Sequence, residues 1–265
     1  MSATPEFRPL AVVTGASSGI GYELAAECAR HGFDLVIAAD RPMHEAANEL
    51  RALGAEVETV QVDLATLEGV RALCETIQHR QVAALLANAG HGLGEAFLDQ
   101  DFLAAKHVVD TNIIGTLYLI HMLGNHMRKH DRGRILITGS VAGFKPGTFQ
   151  AVYNGTKAFI DSFSWALREE LRGTGITVTC LMPGVTDTDF FERAGISDTV
   201  LGASENKMDP AKVAKIGFEA MMNGEGDVIT GWKNKLETAL ANVTPAGRLA
   251  HKHRKTTAPG SASPH

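Results

Sequence analysis

Cysteine is scarce in this chain. Cys28, Cys74 and Cys180 stand alone, odd in number and outside any C-x-x-C or metal-ligand spacing. That pattern excludes a disulfide framework and points to reduced core thiols. Charge of one sign is also lacking: the net charge is −5 and the pI about 6.1. No broad basic surface for nucleic acid is indicated. The one basic cluster, Lys252-His253-Arg254-Lys255, reads as a solvated tail. No apolar stretch approaches the ~20 residues needed to span a bilayer, and Met1 to Pro9 lacks a signal-peptide layout. A cytoplasmic protein with no membrane and no nucleic-acid partner is expected. Internal repeats and a dividing linker are absent, so 265 residues with 45% hydrophobic content are expected to form one domain with a sizeable core.

What is there is alternation. Short apolar runs at 10–14, 34–39, 57–62, 82–87, 134–139, 177–182 and 227–230 read as strands. Several are nearly all apolar, as strands buried on both faces require. Helical patterns fall between them, at 20–31, 44–53, 67–79, 102–129, 152–171, 210–222 and 233–241. Such alternation predicts an α/β fold: a doubly wound parallel sheet, Rossmann-like, in a single domain over 1–245. Residues 246–265 are expected to be a flexible tail.

Two local patterns carry chemistry. Thr14-Gly15-Ala16-Ser17-Ser18-Gly19-Ile20-Gly21 follows the first strand and opens a helix. Gly15 allows a tight turn, Gly19 lets a pyrophosphate approach the backbone N–H groups of the helix N-terminus, and Gly21 lets the helix pack close to the sheet. Tyr153 and Lys157 stand one helical turn apart and project from one face. A neighbouring ammonium favours the phenolate, so the pair predicts a Tyr153 pKa lowered toward neutrality.

With these patterns in hand, the chain resembles the short-chain dehydrogenase/reductase family over about 10–231. Asp63-Leu64 resembles the pair that meets the adenine ring. Asn88-Ala89-Gly90 resembles the N-A-G motif, with Ala87 where a further Asn is common. Asn112 and Ser140 match the catalytic Asn and Ser, and Pro183-Gly184-Val185 with Thr188 matches the loop beside the nicotinamide. The resemblance implies hydride transfer between NAD or NADP and a secondary alcohol or ketone. In it Tyr153 is the acid/base, Ser140 stabilises the carbonyl oxygen, Lys157 holds the nicotinamide ribose, and Asn112 holds a water that joins Lys157 to solvent. Cofactor contacts are then expected from Gly15, Ser17, Ser18, Gly19, Ile20, Gly21, Asp40, Arg41, Asp63, Leu64, Asn88, Ala89, Gly90, Tyr153, Lys157, Pro183, Gly184, Val185 and Thr188. Asp40 at the end of the second strand favours NAD, because an acid there accepts from ribose hydroxyls and repels a 2′-phosphate; Arg41 beside it could turn toward one. The alternative is a non-redox member of the same fold, a lyase or a dinucleotide sensor. The Gly turn and the intact Asn112, Ser140, Tyr153 and Lys157 argue against both.

The substrate region should include His91, Phe144, Phe149, Phe190 and Phe191, with a lid over 186–208. Phe190 and Phe191 either wall an apolar pocket or anchor the lid. No Arg stands among those five to clamp a carboxylate, although Arg193 is near. His126 and His130 are i, i+4, but no third ligand accompanies them, so no metal is expected. The family's habit of pairing the 102–129 and 152–171 helices between subunits implies a homodimer or homotetramer.

Overall fold

The computed structural model describes residues 8–262 except residue 79. Seven parallel strands form one sheet in the order β3-β2-β1-β4-β5-β6-β7. They are β1 (Leu10–Thr14), β2 (Asp34–Ala39), β3 (Val57–Gln61), β4 (Val82–Ala87), β5 (Gly133–Thr138), β6 (Ile176–Met182) and β7 (Asp227–Ile229). The order reverses between β1 and β4, which places a topological switch point at their C-terminal ends.

Helices cover both faces. On one lie α1 (Gly19–Arg30), α2 (His44–Ala52) and α8 (Pro210–Asn223), over a core including Leu24, Leu35, Ile37, Leu50, Leu86 and Phe218. On the other lie α3 (Leu67–Ile77), α5 (Thr116–Lys129) and α6 (Ala151–Glu170), over Val12, Val36, Leu73, Leu85, Leu119 and Ile135. Adjacent residues of β1 serve opposite cores, Ala11 and Val13 one, Leu10 and Val12 the other. This is why the strands read as unbroken apolar runs. No helix among the described residues is long and apolar enough to cross a membrane.

Three stretches depart from expectation. The helix expected over 102–129 is three pieces: α4 (Phe102–Val109), a π-helical segment (Asp110–Gly115) and α5. The wider turn lets Gly115 sit against the Leu64 carbonyl, where a Cβ would collide. α3 is helical to Ile77, and its expected end at residue 79 lies outside the described residues, as do 1–7 and 263–265. The expected tail is instead a helix, α10 (Ala246–Thr257), with His253 and Thr257 buried. Thr148 ties it down: its hydroxyl donates to the Ala250 carbonyl at 2.8 Å, and its carbonyl accepts from Thr257 Oγ1 at 2.8 Å. The basic cluster that read as a solvated tail belongs to a helix held by polar contacts, with Lys252, Arg254 and Lys255 exposed. Two short helices complete the chain, α7 (Phe190–Arg193) and α9 (Trp232–Ala241).

Candidate active site

The site is built at the C-terminal ends of β1, β4, β5 and β6. Asn88 fastens these ends together: Nδ2 donates to the Thr14 carbonyl at 3.1 Å, and Oδ1 accepts from Thr138 Oγ1 at 3.0 Å. Thr14 Oγ1 in turn accepts from the backbone N–H groups of Asn88 and Ala89, both at 3.0 Å. The glycine turn packs on this bracket. Gly15 has φ +66° and touches Ala89, and a Cβ on Gly21 would strike the Gly15 carbonyl. Only glycine satisfies both positions. The result is an open cradle at the N-terminus of α1, lined by Gly15, Ser17, Ser18, Gly19, Ile20 and Gly21.

One cavity runs from this cradle across the sheet ends. Asp40, Asp63, Leu64, Asn88, Ala89, Gly90, Ser140, Tyr153, Lys157, Pro183, Gly184, Val185 and Thr188 also line it. Asn112 and Arg41 do not. Asn112, 2% exposed, sits behind Gly90 in the π-helical segment. Its Nδ2 donates to the His91 carbonyl and to Thr156 Oγ1, both at 2.9 Å, and its Oδ1 accepts from the His91 N–H at 2.8 Å. The amide therefore has both N–H groups engaged by protein. Arg41 leans on Asp40, with Nε 3.7 Å from Oδ1, while His91 Nε2 is 3.7 Å from Asp40 Oδ2.

Tyr153 and Lys157 share a face of α6, with the ammonium 6.0 Å from the ring centroid. Lys157 Nζ donates to the Thr138 carbonyl at 2.8 Å. The lowered Tyr153 pKa expected from the sequence is not found. Burial pushes it up to about 12, the Ser140 hydroxyl opposing the rise and the Asp161 charge adding to it. Burial also lowers Lys157, against the pull of Asp161. Desolvation of both groups outweighs their mutual effect in the protein alone.

Asp161 escaped the sequence reading. It lies one turn after Lys157, 3% exposed, and its Oδ1 accepts from the Ser140 N–H at 3.3 Å. Oδ2 is buried with no hydrogen-bond partner. Burial raises its pKa to about 7, against the opposing charge of Lys157. The spacing Tyr153, Lys157, Asp161 was the available signal, since i, i+4, i+8 keeps all three on one helix face.

The substrate end differs from expectation in part. His91, Phe190 and Phe191 line the cavity, with the Phe190 ring 5.1 Å from that of Tyr153. Phe144 and Phe149 do not; they pack against Trp165 and Arg254 instead. Phe191 also anchors a small core with Ala194 and Ile196. Lys145, Gln150, Leu201 and His253 line the cavity too, from a loop and a tail in which sequence periodicity gives no signal. The segment 186–208 is pinched at its base, where Asp187 N–H donates to the Met208 carbonyl and Met208 N–H to the Val185 carbonyl, each at 2.9 Å. No group of three or more metal-ligating side chains occurs among the described residues.

Comparison with known proteins agrees with this geometry. The family model for short chain dehydrogenases matches residues 9–198. An uncharacterized oxidoreductase of Myxococcus xanthus is 32% identical, covering 89% of this chain and 92% of its own length. Another, from Staphylococcus saprophyticus, is 34% identical, covering 80% and 90%. Among solved structures, a short-chain dehydrogenase from Sphingobium yanoikuyae in complex with NADPH superposes with a TM-score of 0.79 at 28% identity, covering 89% of this chain and 94% of that one. A bulky-bulky ketone specific alcohol dehydrogenase from Comamonas testosteroni gives a TM-score of 0.75 at 28% identity, covering 89% and 93%. With the glycine cradle, the switch-point cavity and the buried Tyr153–Lys157 face, these matches identify the chain as a member of the short-chain dehydrogenase/reductase family, an NAD(P)-dependent oxidoreductase.

Proposed function

We propose that the protein interconverts a secondary alcohol and a ketone, with Tyr153 as the acid/base. The observation that carries this reading is the convergence of Ser140, Tyr153 and Lys157 on one cavity whose other end is the glycine cradle. The bound nicotinamide supplies or accepts the hydride. Tyr153 gives its phenolic proton to the carbonyl oxygen in the reductive direction and takes it back in the oxidative one. Ser140 donates a hydrogen bond to that oxygen as its charge develops. Lys157 would hold the nicotinamide ribose hydroxyls, and its charge would favour the phenolate that burial alone disfavours. Asn112 acts by position: its bonds to His91 and Thr156 fix the floor beneath Gly90.

Asp40 supports NAD over NADP, since a carboxylate at the end of β2 accepts from the adenosine ribose and repels a phosphate. Val141, Phe190 and Leu201 on the cavity wall support a substrate that is apolar beside its carbonyl. The 186–208 segment serves as the lid. Phe102, Leu103, Ile114, Met122, Phe159 and Trp165 are exposed on α4, the π-helical segment, α5 and α6. Their exposure supports a homodimer or homotetramer. The unpaired thiols and acidic balance support a cytoplasmic setting.

The test is absorbance at the nicotinamide band with a panel of ketones and alcohols. Wild type should turn over with NADH or NAD. Tyr153→Phe should lose at least about a hundredfold in kcat while melting shifts with NADH persist. Near-normal turnover in that variant would sink the scheme.

A further inference from the structure

The cavity that holds Ser140 and Tyr153 also has polar lining that the proposed chemistry does not use: Lys145 from the loop after β5, Gln150 at the start of α6 and His253 from α10. Lys145 is half-buried, yet its Nζ forms no ion pair and no hydrogen bond among the described residues. Its backbone is held firmly, the carbonyl accepting from Asn154 Nδ2 at 3.1 Å. Gln150 is 3% exposed, and its side chain has no hydrogen-bond partner among the described residues either. Neither group is engaged by another described side chain, so an ammonium and an amide are both left to meet whatever enters the cavity. Both side chains can donate hydrogen bonds, and both line one cavity.

The surrounding charges leave this part of the cavity positive. His253 Nδ1 lies 3.2 Å from the Thr148 carbonyl, an acceptor, so Nδ1 carries the hydrogen and Nε2 does not. Burial and the Lys145 charge push the His253 pKa down to about 4, so it is neutral. Burial lowers the Lys145 pKa; Glu237, exposed on α9, opposes that fall and Lys252 adds to it. Neither Glu237 nor Lys252 lines the cavity.

We infer that this end of the cavity holds a carboxylate of the substrate, one oxygen on Lys145 Nζ and the other on the Gln150 amide, so that the enzyme acts on keto acids or hydroxy acids whose acidic group is separated from the reacting carbon by an apolar stretch. The inference rests on the proposed alcohol/ketone activity. It accounts together for the ammonium and amide without protein partners and for the apolar Val141, Phe190 and Leu201 that line the same cavity.

The experiment compares acids with their own esters: para-acetylbenzoate against its methyl ester, and levulinate against its methyl ester, with para-acetylphenyl phosphate as a second anion. The expected result is a kcat/KM ratio of acid over ester of at least about tenfold, as a charge-assisted hydrogen bond provides. Lys145→Met should collapse that ratio toward unity, whereas Lys252→Met, which removes the same charge outside the cavity, should keep it. Gln150→Leu, expected to reduce the ratio several-fold, serves if Lys145→Met does not fold. A wild-type ratio near or below unity, equal loss in Lys145→Met and Lys252→Met, or a preference for the phosphate overturns the inference while leaving ketone reduction intact. If no ketone is turned over, benzoate binding is followed by calorimetry with NADH present. Binding that Lys145→Met abolishes upholds the carboxylate site and removes the activity; no binding overturns the site as well.

Discussion

Asn112 grips His91 by both ends of its amide, donating to the His91 carbonyl at 2.9 Å and accepting from the His91 N–H at 2.8 Å. The third bond, to Thr156 Oγ1, reaches the helix that carries Tyr153 and Lys157. Asn112→Ala would strip the His91 N–H and carbonyl of these partners in a nearly dry place, while Thr156 Oγ1 would keep its bond to the Tyr153 carbonyl at 2.7 Å. The expected cost is about 2 kcal/mol or more, a Tm lower by about 4–8 °C. Well below that Tm, kcat should fall more than the affinity for NADH, because the substitution loosens the floor under Lys157 rather than the glycine cradle. An unchanged kcat at low temperature would leave Asn112 a merely structural residue.

Asp161 should imprint itself on the pH dependence of stability. Its pKa is raised to about 7 in the fold from an ordinary carboxylate value near 3.8. Between roughly pH 4 and 7 the folded protein therefore holds a proton there that the unfolded chain has lost. Stability from this group is present at acid pH and falls as pH rises through that window. Asp161→Asn removes the titration, so the variant should gain on wild type between pH 4 and 7. Denaturant unfolding at several pH values measures the difference, in which His253 and the other carboxylates cancel. A difference that is flat or falls with pH would contradict the raised pKa. The same variant removes a negative charge that raises the Tyr153 pKa, so the Tyr153 ionisation seen in kcat/KM should move to lower pH.

Asp40 stands between two basic side chains, Arg41 at 3.7 Å and Arg193, whose pKa burial and the Arg41 charge lower and Asp40 helps hold up. Asp40→Ser would delete the repulsion toward a 2′-phosphate and leave both arginines free to meet it. The ratio of kcat/KM with NADP to that with NAD should rise at least tenfold, and the affinity for NADPH measured by calorimetry should rise with it. A wild type that already prefers NADP would reverse the assignment of Asp40.

Much of this molecule was legible because its sheet is buried on both faces. Leu85 and Leu86 must both be apolar for that reason, so β4 announces itself. The glycine turn was legible because Gly21 has no room for a Cβ. The π-helical break was not, because the cause is tertiary: the Leu64 carbonyl pressing on Gly115 from another strand end. The raised Tyr153 pKa was hidden too, since spacing brings Lys157 near but says nothing of how much water either group loses. Asp161 and Lys145 escaped for a related reason. Spacing places Asp161 on the face of Tyr153 and Lys157, but nothing local tells how deeply a carboxylate or ammonium is buried; burial comes from elements far off in the chain.

α10 shows how much a polar segment can matter once its partners are known. It and the turn after it touch the lid directly: Leu201 N–H donates to the Thr256 carbonyl at 3.0 Å, Val200 N–H to Ser261 Oγ at 3.1 Å, and Gly260 N–H to Asp198 Oδ2 at 2.7 Å. It also supplies His253 to the cavity wall. A chain ending at Pro245 would keep the sheet, the cradle and Tyr153, but its lid would lose these three tethers. NADH affinity should stay within a few-fold, because no cradle residue hydrogen-bonds to α10 among the described residues. The KM for a ketone substrate should rise by about tenfold or more, and the lid should become the first site cut by protease. Equal KM values for the shortened and full-length chains, with equal protection of 186–208, would mean that the lid holds its position without the helix.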